Sequence, residues 1–203
     1  MAQLEMRNLT KKVGFSYYFI NINLKIPEKK ILGFLGKNNA GKTVLCHMLA
    51  GLDIEYEGEI IRECATSVGL VDGKEELSSS ETIQSYFESI IELDKEENTR
   101  DLFQVLEEVG LDGNSLIPLC DYSDMNKKKV LIAKAILFNR ELVIFDEPFY
   151  GLDTFSKIEI KSLIIKMMQN HYTMAVTSPH EKDLTEICDI IYLIEGRQIH
   201  RFV

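Results

Sequence analysis

The chain has 203 residues, 45% of them hydrophobic, and carries 23 Lys and Arg against 32 Asp and Glu, a net charge of −9. That size and composition fit one globular domain with or without a subdomain. The acidic balance disfavours nonspecific attraction to nucleic acid or anionic lipid, so no nucleic-acid partner is expected; residues 126–129, "NKKK", are the only candidate basic run.

In chain order, residues 3–9 and 20–26 alternate roughly and read as strands, and a turn at 27–30 leads into a short buried-type strand at 31–35. A helix follows over 42–52, with Val44, Leu45, Met48 and Leu49 on one side and Gly51 near its end. Residues 66–71 read as another strand. From about 79 to 137 apolar residues recur at spacings of three and four, which predicts helices over 81–93, 98–111 and 127–138. Strand patterns return at 141–146, 172–178 and 189–194, with a helix over 156–170 between the first two. Glu195-Gly196 turns the last strand into a hairpin. This is an α/β layout with a mainly parallel, covered sheet, interrupted by a helical insertion.

No run reaches 18 apolar residues and the N-terminus has no secretory h-region, so the chain is expected neither to span a membrane nor to enter the secretory route. Cys46, Cys64, Cys120 and Cys188 share no ligand-like spacing, which predicts reduced thiols rather than zinc or disulfides.

Residues 36–43, "GKNNAGKT", follow a strand and open a helix, the context that a phosphate-binding loop requires. Backbone N–H groups of Gly36, Lys37, Asn38, Asn39, Ala40, Gly41 and on to Val44 are placed to cradle phosphate oxygens at the positive end of the helix dipole. Lys42 is expected on the β- and γ-phosphates and Thr43 on Mg²⁺. The strand "LVIFDE" ends in a second half-site: Asp146 for Mg²⁺ and Glu147 to orient or deprotonate a water. Four apolar residues before an acidic pair are hard to explain as surface charge.

Together "GKNNAGKT", "VIFDEPFYGLD" and the helical insert between them resemble the ABC-type ATPases, the nucleotide-binding subunits of ABC transporters, over essentially the whole chain. The resemblance implies a P-loop NTPase core with an N-terminal antiparallel β-subdomain. It implies a single ABC ATPase domain over 1–203, with a helical subdomain at about 79–137 inserted between 1–78 and 138–203. It implies ATP and Mg²⁺ as ligands, pairing of two ATPase chains, and a separate transmembrane permease subunit docked on the helical insert. The chain would then be cytoplasmic, peripheral on the membrane through that partner. "DEPFYGLD" matches the family's Walker B and D-loop segment, which places Asp153 at the dimer interface.

Several family positions are altered. "VLIAKAIL" matches the helix after the family signature L-S-G-G-Q, which puts "YSDMN" on the signature: Ser123 survives, Asp124 and Met125 replace the glycines, and Asn126 replaces the Gln. A carboxylate about 4 Å from one phosphate charge costs roughly 4 kcal/mol at an effective dielectric of 20. Alternatively, Asp124 caps the helix and pairs with Lys127 or Lys128. Gly73 falls where the Q-loop Gln belongs. The adenine-stacking aromatic falls at Val13, with Phe15 and Tyr17 as substitutes. Val44 stands where many members carry a second hydroxyl. The switch histidine position falls at Pro179, and His180 lies one residue later.

Three readings follow. The first is an ATP-hydrolysing ABC transporter subunit that powers a separate membrane subunit, with peptide or drug export or immunity as the cargo class by family analogy; it includes an asymmetric pairing with a second ATPase whose signature is intact. The second is a catalytically weak, nucleotide-binding regulatory subunit. The third, an ABC ATPase acting on nucleic acid or ribosomes, is disfavoured by the acidic charge. The end of the chain soon after the final hairpin predicts no C-terminal regulatory domain.

Overall fold

The computed structural model describes residues 2–62, 67–93, 99–169 and 172–202, so Cys64 and His171 lie outside the described residues. β1 (Ala2–Val13) and β2 (Ser16–Pro27) form an antiparallel hairpin. Its alternation buries Leu4 and Met6 on β1 and Ile22, Leu24 and Ile26 on β2. β3 (Ile31–Leu35) leaves for a second sheet and runs into α1 (Lys42–Ala50), which stops at Gly51 in the left-handed conformation. β4 (Glu57–Arg62) then returns to pair with β1, giving the three-stranded order β2-β1-β4. The sequence pattern had no strand at β4, an edge strand whose side chains are mostly exposed and whose hydrophobic alternation is correspondingly poor.

The second sheet has the order β5 (Val68–Asp72), β6 (Leu142–Asp146), β7 (Thr173–Ser178), β3, β8 (Ile190–Glu195) and β9 (Gln198–Arg201). All neighbours are parallel except the terminal hairpin of β8 and β9. Both faces are covered, and the period of two decides which residue joins which core. Val143 and Phe145 of β6 pack with one cluster, Leu142 and Ile144 with the other. The first cluster includes Val130, Ile132 and Ile136 of α4 (Asp124–Ile136) and Ile160 and Ile164 of α5 (Thr154–Gln169); the second includes Leu45 and Met48 of α1 and the inner face of the hairpin.

Between β5 and β6 run α2 (Ile83–Leu93), α3 (Leu102–Glu108) and α4. A correction concerns the start of α4. Ser123 is its N-cap and accepts the Asn126 N–H at 3.3 Å, while Asp124 is the first helical residue. A one-carbon hydroxyl at the extended Ser123 position reaches that N–H, so the cap role expected of Asp124 passes to its neighbour. Lys128 is buried and donates to the Gly73 carbonyl, and Lys129 pairs with Glu159, so the "NKKK" run is not an exposed basic patch. A short α6 (Glu181–Thr185), not expected from the sequence, follows β7.

Candidate functional site

The strand order places the carboxyl ends of β6, β7 and β3 side by side, and three loops converge there. After β3, the backbone of 36–41 folds back on itself: the Gly36 N–H donates to Ser178 O (3.2 Å), tying the loop to β7. Asn39 and Gly41 adopt positive φ (64° and 103°). A Cβ at Gly41 would lie 3.0 Å from the Phe19 ring and 3.1 Å from that of Tyr18, so a glycine is what lets the loop lie against β2.

Lys42 is buried, and its ammonium donates to Gly36 O (2.7 Å) and Lys37 O (3.0 Å) and lies 3.1 Å from Glu147 Oε1. Thr43 Oγ1 donates to Asp146 Oδ2 at 2.6 Å. Thr177 of β7 completes this unit: its hydroxyl donates to Asp146 Oδ1 (2.7 Å) and accepts the Glu147 N–H (2.9 Å). Glu147 has φ of 49°, a left-handed backbone at the end of β6 that turns its side chain toward the two lysines Lys42 and Lys74. Burial pushes the Glu147 carboxyl up, but hydrogen bonds from Lys74 and Lys42 outweigh it and hold it below the ordinary Glu value.

These groups open on a cleft of about 560 Å³. Asn38, Asn39, Lys42, Thr43, Val44 and Glu147 line it, together with Pro179 and His180 from the loop after β7. Both residues at the ambiguous histidine position therefore face the same space. Gly36 and Lys37 offer their carbonyls to Lys42, and the Ala40 N–H donates to Lys37 O at 3.1 Å.

The three candidates for an adenine contact are not among the residues that line this cleft. Val13, Phe15 and Tyr17 are exposed at the tip of the hairpin, Phe15 fully so, and Lys12 sits over the Tyr17 ring. The cleft wall carries Tyr18 instead. Sequence reading missed Tyr18 because it depends on how β2 meets the phosphate loop, and missed Thr177 because that depends on β7 lying next to β6. Lys74 also lines the cleft without any motif to announce it, as does Tyr150 from a variable position of "DEPFYGLD".

Gly73 sits beside the acidic pair without a side chain to offer: its N–H donates to Asp146 O at 2.7 Å. Asp153 caps α5, accepting the Ser156 N–H (3.0 Å) and hydroxyl (2.8 Å). Ser123, Asp124 and Met125 share a separate hollow with Gly151, Leu152 and Asp153, on the outer surface of the chain. Asn126 is half-buried behind them.

Thr43 and Asp146 present hard oxygens side by side, and among the described residues no group of three or more His, Cys, Asp or Glu gathers to hold a metal alone. One hydroxyl and one carboxylate suit Mg²⁺ shared with phosphate oxygens rather than an all-protein cage. The residues present fit the ion.

The family model described as "ABC transporter" matches residues 19–150, from the second strand through the acidic pair. The chain belongs to the ABC transporter family. An uncharacterized ABC transporter ATP-binding protein of Methanocaldococcus jannaschii is 26% identical over 98% of this chain and 76% of its own length. The bacitracin transport ATP-binding protein BcrA of Enterococcus faecalis is 31% identical over 93% of this chain and 65% of its own. The aliphatic sulfonates import ATP-binding protein SsuB 3 of Pseudomonas savastanoi is 30% identical over 97% and 74%. Among solved structures, a metal-chelate type ABC transporter in an inward-facing conformation has a TM-score of 0.85 at 20% identity, covering 100% of this chain and 83% of its own. CbiO1 of Clostridium perfringens, part of the ABC transporter complex cbiONQ, has a TM-score of 0.81 at 20% identity, covering 98% and 86%. The fold of this ABC transporter ATP-binding subunit is thus that of the family's cassettes. Such subunits work with separate membrane subunits, and among the described residues no helix is long and apolar enough to cross a membrane.

Proposed function

We propose that this subunit binds ATP with Mg²⁺ in the cleft between the 36–43 loop and the end of β6, and hydrolyses it to drive a separate membrane subunit. The observation that carries this reading is the joint of Thr43 and Asp146 at 2.6 Å beside Lys42 and Glu147 at 3.1 Å. Mg²⁺, when bound, supplies charge neutralisation and polarises phosphate oxygens. The chain's own contributions are positional. Thr43 and Asp146 hold the ion, the loop N–H groups and Lys42 hold phosphate, and Tyr18 offers a ring at the cleft wall. Glu147, kept ionised by its lysines, orients a water and accepts its proton. His180 stands on the opposite loop, exposed and within the same cleft.

The test is steady-state ATP hydrolysis by the purified chain, alone and with its membrane partner, for wild type and Glu147→Gln. Loss of a general base is expected to slow turnover by about 10²–10⁴-fold. Nucleotide binding should persist. Hydrolysis that Glu147→Gln leaves untouched excludes Glu147 as the base.

The hollow holding Ser123, Asp124, Met125 and Asp153 favours a second element of the reading: two ATPase chains facing each other, unequal in their sites. With an acid and a Met in place of glycines, the α4 start is a poor grip for a partner's phosphate. A partner with an intact signature completes a working site on this chain's phosphate loop, while the reverse site is slow. Trapping nucleotide in each site of the complex tests this; equal hydrolysis at both counts against it. Equal inactivity at both sites instead supports the weakly hydrolysing, regulatory alternative. Docking of the membrane subunit is proposed on the helices within 79–137, at the cytosolic face. Relatives are named for cargoes as unlike as bacitracin and aliphatic sulfonates, which supports leaving cargo to the membrane subunit. Peptide or drug export or immunity is the cargo class proposed first, and co-purification from membranes identifies the partner that decides it.

A further inference from the structure

The segment after β5 is fastened from three sides. Gly73 N–H donates to Asp146 O (2.7 Å), Lys74 N–H donates to Asp72 Oδ1 (2.8 Å), and the buried ammonium of Lys128, from α4, donates to Gly73 O. A Cβ at Gly73 would overlap the Glu147 carbonyl oxygen and lie 2.7 Å from that of Asp146. No longer side chain fits there. The Gln that the family places at this point therefore has no equivalent, and the next residue turns into the cleft in its stead.

Lys74 Nζ lies 2.9 Å from Glu147 Oε2 and 5.4 Å from the centre of the Tyr150 ring. The other oxygen of the same carboxylate faces Lys42 at 3.1 Å. One carboxylate thus lies between two ammonium groups, and both ammoniums line the cleft with Asn38, Thr43 and His180. An ammonium has three donors and Glu147 takes one of those on Lys74. The Tyr150 face lies beside the ammonium, and the Lys74 side chain stays 48% exposed, with room to turn. A terminal phosphate, with more charge than a carboxylate and three acceptor oxygens, competes for the same donors.

We infer that Lys74 is a second phosphate-binding lysine, which contacts the terminal phosphate of a nucleoside triphosphate beside Lys42 and keeps Glu147 next to it. Because a diphosphate lacks that group, Lys74 distinguishes triphosphate from diphosphate. Lys128 is a positioning residue, holding the segment from the helix that Ser123 caps. The inference rests on the proposed nucleotide-binding reading of the cleft.

Calorimetric titration of the full chain with ATP and with ADP, in Mg²⁺ and in EDTA, tests it on wild type, Lys74→Met, Lys74→Arg and Lys42→Ala. Lys74→Met is expected to weaken ATP binding about tenfold, equivalent to about 1.4 kcal/mol, with ADP affinity within about twofold and Lys74→Arg recovering most of the loss. Equal weakening of both nucleotides, or of neither, overturns the role of Lys74 while wild-type binding that Lys42→Ala abolishes leaves the cleft itself standing. A wild-type chain that binds neither nucleotide overturns both. Lys74→Gln repeats the comparison should Lys74→Met fail to fold, as judged by its thermal melt.

Discussion

The Thr177 hydroxyl lies 2.7 Å from Asp146 Oδ1 and 2.9 Å from the Glu147 N–H, so one side chain on β7 ties both acidic residues of β6 in place. Thr177→Val keeps the shape and removes a donor and an acceptor from a fully buried position. The Glu147 N–H and an Asp146 oxygen are then left unsatisfied, and the expected cost is about 1–3 kcal/mol in urea unfolding. Turnover should fall with it, because the Asp146 carboxylate loses the partner that orients it. Thr177→Ser, which restores the hydroxyl, should recover most of both. A valine variant with unchanged stability and turnover removes Thr177 from the site.

The division between what the sequence shows and what it hides follows the range of the interactions. The 36–43 loop and the 142–147 strand were legible as structure because each is written in contiguous residues: a glycine turn opening a helix, an apolar run ending in two acids. The parallel sheet was legible from alternating strands and helices. Thr177, Tyr18 and Lys74 were not, since each enters the cleft only through strand order or through a loop's path over a neighbouring strand. β4 escaped because an exposed edge strand carries little hydrophobic alternation. Asp124 as the cap of α4 was a near miss: the local pattern shows a cap, but two adjacent polar residues compete, and the extended backbone at Ser123 settles which one accepts the N–H.

The pH response of stability should report the Glu147 and Lys74 pair on two limbs. In the folded chain the Glu147 carboxyl lies below its ordinary value of 4.5. Its ion pairs therefore stabilise the fold above that ordinary value, and the contribution disappears as pH falls through the lowered one. Lys74, through its hydrogen bond with Glu147, is raised above 10.5. Its contribution is complete below 10.5 and is lost as pH rises through the raised value. Urea midpoints measured across both limbs should show Glu147→Gln flattening both, because Glu147 also raises Lys74, whereas Lys74→Met flattens the alkaline limb and leaves the part of the acid limb that Lys42 supports. An acid limb identical in wild type and Glu147→Gln contradicts the pairing.

Gly73 offers a test of the remodelled segment by restoration. Installing the family's Gln there (Gly73→Gln) is expected to damage the chain, because even a Cβ overlaps the Glu147 carbonyl. The backbone must withdraw, breaking the bonds to Asp146 O and from Lys128. Overpacking of this kind costs about 1–3 kcal/mol. Turnover should drop alongside, since Lys74 and Glu147 move with the segment. Gly73→Ala should show the same effects in milder form. A Gln variant as stable as wild type and faster in hydrolysis contradicts this packing.

The start of α4 yields the sharpest prediction about assembly. Asp124 is exposed beside Ser123 and Met125, in the hollow shared with Asp153, where a second chain's phosphates would have to approach. As the first helical residue its charge favours the helix by about 0.3–1 kcal/mol, so it helps the fold locally. Against an incoming phosphate the same charge costs roughly 4 kcal/mol at 4 Å and an effective dielectric of 20, so repulsion outweighs the local gain. Asp124→Gly with Met125→Gly should therefore lower stability slightly while Ser123 keeps the cap. In a Glu147→Gln background that holds ATP, it should also produce ATP-dependent dimers by analytical ultracentrifugation where the parent stays monomeric. Dimers of the parent under the same conditions show that Asp124 turns aside, and monomers in both place the obstacle elsewhere on the facing surface.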